Sequence, residues 1–331
     1  MTSQREQSFP TVLSALFGDD EVPVHLVYRL SDMSPANFEL FQREWLEVSA
    51  ERRAALVRHM ADIAEENYLV EFTPVFAHLF ADPYPAVRIA ALDGLWDTTE
   101  ARLVRPIIGL MQGDRDTGVR AAAARALAHY VLLAEWGQVN PGIASPIVDA
   151  LLAEYDRPNS PLEIKRAALE AVASSNHPRI ADIILNAYDD GSNDLQLSAL
   201  FAMGLTADRR WLPILDDEMQ SPSADFRAEA ARAAGSLGSA DSIDALEGLL
   251  SDEEIEVTTA AIYALGQIGG DRATELLTRL SEDPDYEGLY DIIDEAIEEM
   301  DWIEGGFDLL AVDEDDLEDD DDDLLNSLRA N

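Results

Sequence analysis

The stretch "VRAAAARALA", Val119 to Ala128, is nearly all alanine and carries two arginines. Taken alone it fits a basic helix, a filler helix or one copy of something repeated. The rest of the chain decides among these. With Val119 as position zero, relatives stand at "VRIAALDGLW" from Val87, "IKRAALEAVA" from Ile164, "LQLSALFAMG" from Leu195, "FRAEAARAAG" from Phe226 and "VTTAAIYALG" from Val257. A degenerate "LYDIIDEAIE" begins at Leu289 and a weaker first copy, "VRHMADIAE", at Val57. From Val87 onward the spacings are 32, 45, 31, 31, 31 and 32 residues.

At about 100° per residue, positions 0, +4, +7 and +8 share one arc of a helix. They are apolar or small almost throughout, with alanine at +4 from Ala61 to Ala261 and Ile293 in the last copy. Small residues there let a neighbouring helix come close. A first helix is expected before each anchor, opening at Pro74, Pro106, Pro146 and Pro213, because proline suits a helix's first turn. Asp82, Asp114, Asp190, Ser221 and Asp252 sit five residues before their anchors, where each could cap the second helix. Glycines at 235, 238, 266, 269 and 270 are expected to end it.

A helix pair of about 31 residues cannot bury its apolar face alone, so the copies must stack. The expected fold is all-α, an α-α superhelix of about seven to eight helix pairs. The pattern D-x-x-x-x-V-R-x-x-A-x-x-A-L-G resembles short HEAT repeats, the type found in phycobilin-lyase-like proteins, over roughly residues 50 to 300. Residues 1–48 are expected to form an N-terminal helical cap, with a capped start at Ser34-Pro35, and residues 49–304 the solenoid. The 45-residue spacing places an insertion at about 129–160, lengthening the helix through "HYVLLAEWGQVNPG". From Gly305 to the end the composition is that of a disordered acidic tail.

Composition bounds the partners. The formal charge is −43, from 66 acidic and 23 basic residues, so a nucleic-acid backbone would be repelled. Lys165 is the single lysine. An acid-rich, lysine-poor surface fits a basic partner and fits adaptation to high salt equally. There is no cysteine, hence no disulfide and no thiolate chemistry. No apolar run approaches the roughly 20 residues of a membrane span. The expected protein is a cytoplasmic monomer that binds neither nucleic acid nor membrane.

No catalytic pattern emerges, and no metal or cofactor is expected. The five histidines show no H-E-x-x-H spacing. In HEAT-repeat deoxyhypusine hydroxylases His-Glu dipeptides hold iron; here no histidine precedes a glutamate. "GQIGGDRA" departs from G-x-G-x-x-G, and there is no G-x-S-x-G elbow. The resemblance leaves open a bilin-lyase-like enzyme or chaperone subunit, as an alternative to a non-catalytic interaction scaffold or adaptor. A third reading gives the acidic tail a basic protein to bind.

By the same angular arithmetic, +2, +6 and +9 lie opposite the packed arc. The resemblance places that arc of the second helices on a concave face. The +6 column reads Asp93, Arg125, Glu170, Phe201, Arg232 and Tyr263. Its aromatics are out of place on a wet surface, and Leu197 lies one turn before Phe201. Trp96, Arg125, Leu197, Phe201, Arg232 and Tyr263 are therefore the candidate partner-binding residues, since aromatics and arginine are favoured interface anchors. The +1 column, Arg58, Arg88, Arg120, Lys165 and Arg227, has a structural reading: in similar repeats this residue pairs with a turn aspartate.

Overall fold

The structure, a computed structural model, describes residues 7–18 and 21–308. Among them are eighteen α-helices and no strand. Helices α1 (Phe9–Leu16) and α2 (Val24–Val27) come first. The helices that follow alternate as first and second members of pairs: α3 (Pro35–Trp45) and α4 (Ala50–Glu66), α5 (Thr73–Leu79) and α6 (Pro85–Asp93), α7 (Ala101–Gly113) and α8 (Thr117–Glu135), α9 (Pro141–Tyr155) and α10 (Leu162–Val172). They continue with α11 (Ile180–Tyr188) and α12 (Asn193–Leu205), α13 (Leu212–Glu218) and α14 (Ala224–Leu237), α15 (Ile243–Leu249) and α16 (Ile255–Ile268), α17 (Gly270–Ser281) and α18 (Tyr290–Asp308). The seven anchors from Val57 to Val257 fall inside second helices, and Leu289 immediately precedes α18.

The chain divides into two compact units at the Ser198/Ala199 junction. In the first, α4, α6, α8 and α10 pack in succession, and α7 and α9 pack on the same series. In the second, α14, α16 and α18 pack in succession, with α13, α15 and α17 each against its own partner. The inward arc is as the periodicity requires: Val87, Ala91, Val119, Ala123, Leu127, Ala168, Ala199, Ala230, Val257 and Ala261 are all fully buried. Burying such side chains at about 25 cal/mol per Å² is what holds each stack together.

Several local expectations are corrected. Ser34 caps α3 as the sequence indicates, accepting from the Asn37 amide at 3.3 Å. Pro74 and Pro213 lie in first turns. Pro106 and Pro146, however, lie inside their helices, which begin at Ala101 and Pro141. Leu103 and Val104 are buried, so packing recruits the residues ahead of Pro106 into α7. The proline itself is exposed, where the carbonyl it leaves unpaired can meet water.

Three of the turn aspartates do not cap their second helices. Asp82 accepts from the Tyr84 amide, Asp114 from that of Asp116 and Asp252 from that of Glu254, at 2.8, 2.8 and 3.0 Å. Each thus closes an Asx turn two residues on. The cap of α8 is Asp116, which accepts from Val119 at 3.1 Å.

The glycines also divide. Gly238 and Gly269 end helices at φ 60° and 65°, where glycine has no Cβ penalty. Gly235 and Gly266 lie within their helices as contact points, and Gly204 joins them. A Cβ on Gly204 would stand 2.9 Å from Ala233 Cα, on Gly235 2.7 Å from Ala264 Cα and on Gly266 2.8 Å from the Ala296 carbonyl oxygen. Position +9, expected on the open arc, is therefore a helix-crossing position from Gly204 onward, meeting +7 of the next second helix. At +2, also expected on the open arc, Ala121 and Ala228 are buried. The insertion takes the form of a long α8, a short turn and a 15-residue α9 packed on α8 and α7. At the C-terminus α18 runs on through Asp308, past Gly305 where the tail was expected to begin. The rest of that tail lies outside the described residues.

Candidate functional site

Two kinds of side-chain constellation stand out from the packed interior: a ladder of buried charges at the helix turns, and clefts between successive second helices.

The ladder occupies the fourth residue of the second helices α4, α6, α8, α12, α14 and α16. Arg88 donates to its own turn at the Asp82 carbonyl (2.7 Å) and to Asp114 of the next pair (2.7 Å). Arg227 repeats this with Ser221 O (2.9 Å) and both oxygens of Asp252 (2.7 and 2.8 Å). Arg120 donates to Met111 O and pairs with Glu154, a carboxylate with no exposed side-chain surface. Where arginine is missing, Gln196 donates to Tyr188 O at 2.8 Å. Thr258 reaches the Leu249 carbonyl at 3.4 Å. The column thus ties down carbonyls at the end of the first helix or in the turn after it, and where arginine is present it clamps adjacent pairs. In the first copy the rung is Arg53, not Arg58. Arg53 donates to Val48 O (2.7 Å) and to Asp82 (3.1 Å), while Asp82 also accepts the Trp45 indole N–H at 2.8 Å. Val57 matched the apolar pattern five residues out of register with the rung, which a long helix such as α4 permits.

With Arg53 taking the rung, Arg58 faces a cleft of about 380 Å³ between α4 and α6, lined by Asp62, Glu65, Ile89 and Asp93 among others. Burial pushes the Asp93 carboxyl above its usual range, opposed by the charges of Arg125 and Arg58. Arg125 is exposed and Leu197 half-buried. Trp96, 37% exposed, stands edge-on to Tyr68 with ring centroids 5.8 Å apart. Tyr68 and Leu69, 77% and 91% exposed, escape a repeat-based reading because they lie in the loop after α4. These residues all belong to the first unit.

In the second unit, Phe201, Arg232 and Tyr263 line one cleft of about 390 Å³ across α12, α14 and α16. Its floor is the alanine surface left by close helix crossings, Ala233, Ala260 and Ala264, all buried. Phe201 and Leu205, one turn apart on α12, remain 42% and 38% exposed. Arg232 is held between Glu229 (3.1 Å) and Glu256 (3.0 Å). The Tyr263 hydroxyl donates to Glu295 at 2.9 Å, and that bond, with burial and the charges of Glu295 and Glu299, pushes its pKa up. The sequence pointed to the aromatic and arginine members; of their carboxylate partners, Glu229 lies three residues before Arg232 on α14, while Glu256 and Glu295 come from neighbouring helices, 24 and 32 residues away, and carry no local signal.

Paired helices, small residues at second-helix crossings and an arginine–aspartate ladder repeat through both units. Residues 72–135 and 212–294 match the family model for HEAT repeats. Both stretches are HEAT repeats. No curated protein matches the chain. Among solved structures, this chain is similar to YibA of Escherichia coli at 18% identity, covering 72% of this chain and 94% of that one, TM-score 0.41. An engineered protein matches at 17% identity over 88% of each chain, TM-score 0.40. Human deoxyhypusine hydroxylase in complex with glycerol matches at 16% identity, over 88% of this chain and 96% of that one, TM-score 0.33. Among the described residues no group of three His, Cys, Asp or Glu side chains is placed to hold a metal ion, and no helix is long and apolar enough to cross a membrane.

Proposed function

We propose that this HEAT-repeat chain is an interaction scaffold or adaptor that captures another protein, with the cleft of the second unit as its principal contact. One observation carries this reading: Phe201 and Leu205 keep two-fifths of their surface in water beside Tyr263, over an alanine floor that has room for a visiting side chain. Large apolar side chains left exposed together at a concave site are the usual anchors of an interface. The cleft of the first unit, with Ile89 at its wall, offers a second contact of the same type.

The test is affinity capture from native lysate with the full chain and with Phe201→Ala/Tyr263→Ala. The captured protein should be lost from the double variant, while the thermal midpoint moves by no more than a few degrees, because both side chains are at the surface. Undiminished capture by the folded variant would sink this reading.

A further inference from the structure

The chemistry around the cleft restricts its occupant. Arg232 is the one cation on the wall, and it is already bracketed by Glu229 and Glu256. Glu295 takes the Tyr263 hydroxyl on the far side. Three carboxylates therefore stand against one guanidinium around an apolar floor. The imbalance extends outward: residues 199–308 contain 27 acidic and six basic residues. Such a field attracts cations and opposes anions approaching the cleft. A second copy of this chain, at −43, is disfavoured as the occupant. So is the chain's own residues 309–331, with ten acidic residues and one arginine.

Resting on the scaffold reading, we infer that the cleft takes a cationic protein segment, setting an apolar side chain beside Phe201, Leu205 and Tyr263 and placing flanking arginine or lysine against Glu229, Glu256 and Glu295. The apolar residue supplies most of the affinity, because its burial displaces water from both surfaces. The flanking cations select the partner and speed its approach, and their contribution is screened by salt. Arg232 has a part in this arrangement. It holds Glu229 and Glu256 at the rim, so that an arriving cation finds carboxylates already oriented.

A random peptide library selected on the full-length chain tests this, with parallel selections on Phe201→Ala/Tyr263→Ala and on Glu229→Gln/Glu256→Gln/Glu295→Gln. The expected winner has a large apolar residue within two or three positions of arginine or lysine. Measured by fluorescence anisotropy, that peptide should bind the aromatic double variant about tenfold or more weakly. Its binding to the glutamine variant should lose most of its salt dependence. Should the double variant unfold early, Leu205→Ser is the substitute, since that side chain is exposed and makes no polar contact to lose. A winning peptide that depends on Phe201 or Leu205 but is neutral or acidic overturns the cationic occupant and leaves the scaffold reading standing. Peptides that bind the wild-type and the aromatic variants equally overturn both, because generic attraction to an acidic surface needs neither aromatic ring.

Discussion

Asp82 should be the most costly single carboxylate to remove. Its side chain has no exposed surface, and that of Arg53 has 6%. The carboxylate accepts the Trp45 indole N–H at 2.8 Å, the Tyr84 amide at 2.8 Å and an Arg53 guanidinium N–H at 3.1 Å. Asp82→Ala would leave a buried guanidinium without its counter-charge, which costs about 3–5 kcal/mol. The loss of the indole and amide partners lies within that range rather than on top of it, because relaxation is shared. Arg53→Ala should cost a similar amount, for it strands the carboxylate. Arg53→Leu/Asp82→Leu removes both charges and should cost clearly less than the two single changes together, by about 2–3 kcal/mol of coupling. Hydrogen exchange of the α4 and α6 amides under native conditions reads this locally, without assuming that both units unfold together. A cost under about 1 kcal/mol for Asp82→Ala, or strict additivity in the double variant, would refute the reasoning.

Gly235→Ala should destabilise α14 against α16 by about 1–3 kcal/mol, because the new methyl meets Ala264 backbone at 2.7 Å and the helices must part. Gly109→Ala, on the exposed side of α7 with nothing within 4 Å, should stabilise by about 0.5–1 kcal/mol; urea unfolding of the two variants should move in opposite directions. Acid titration gives a third test. The Arg227 guanidinium holds the Asp252 carboxyl below its ordinary 3.8. A carboxyl depressed in the folded state contributes stability that is present above that ordinary value and lost as pH falls through the folded one. The thermal midpoint should therefore drop as pH is lowered below about 4, and Asp252→Asn should both lower the midpoint at neutral pH and flatten that drop.

The repeat was legible because its physics is local. A helix with small residues on one arc every 31 or so residues has one way to bury them, and the anchors from Val57 to Val257 all fell inside second helices. The candidate cleft was legible in part: Phe201, Arg232 and Tyr263 stand out as a column because they share a helix position. Glu229 lies one turn before Arg232 on α14, but Glu256 and Glu295 are ordinary surface glutamates until packing brings them beside that column.

What the sequence determined by itself is therefore the unit: two helices, which arc of the second is buried, and a basic residue at the start of that helix. The tertiary structure decided what each position meets. It made Gly204, Gly235 and Gly266 helix contacts instead of helix ends, since only the approach of the next helix reveals that a Cβ would not fit. It turned the inter-helix aspartates from caps into rungs and moved the first rung from Arg58 to Arg53. Pairing across repeats depends on distances between residues some 25 to 35 positions apart, and a one-dimensional period, blind to a five-residue slip along a long helix, does not contain them.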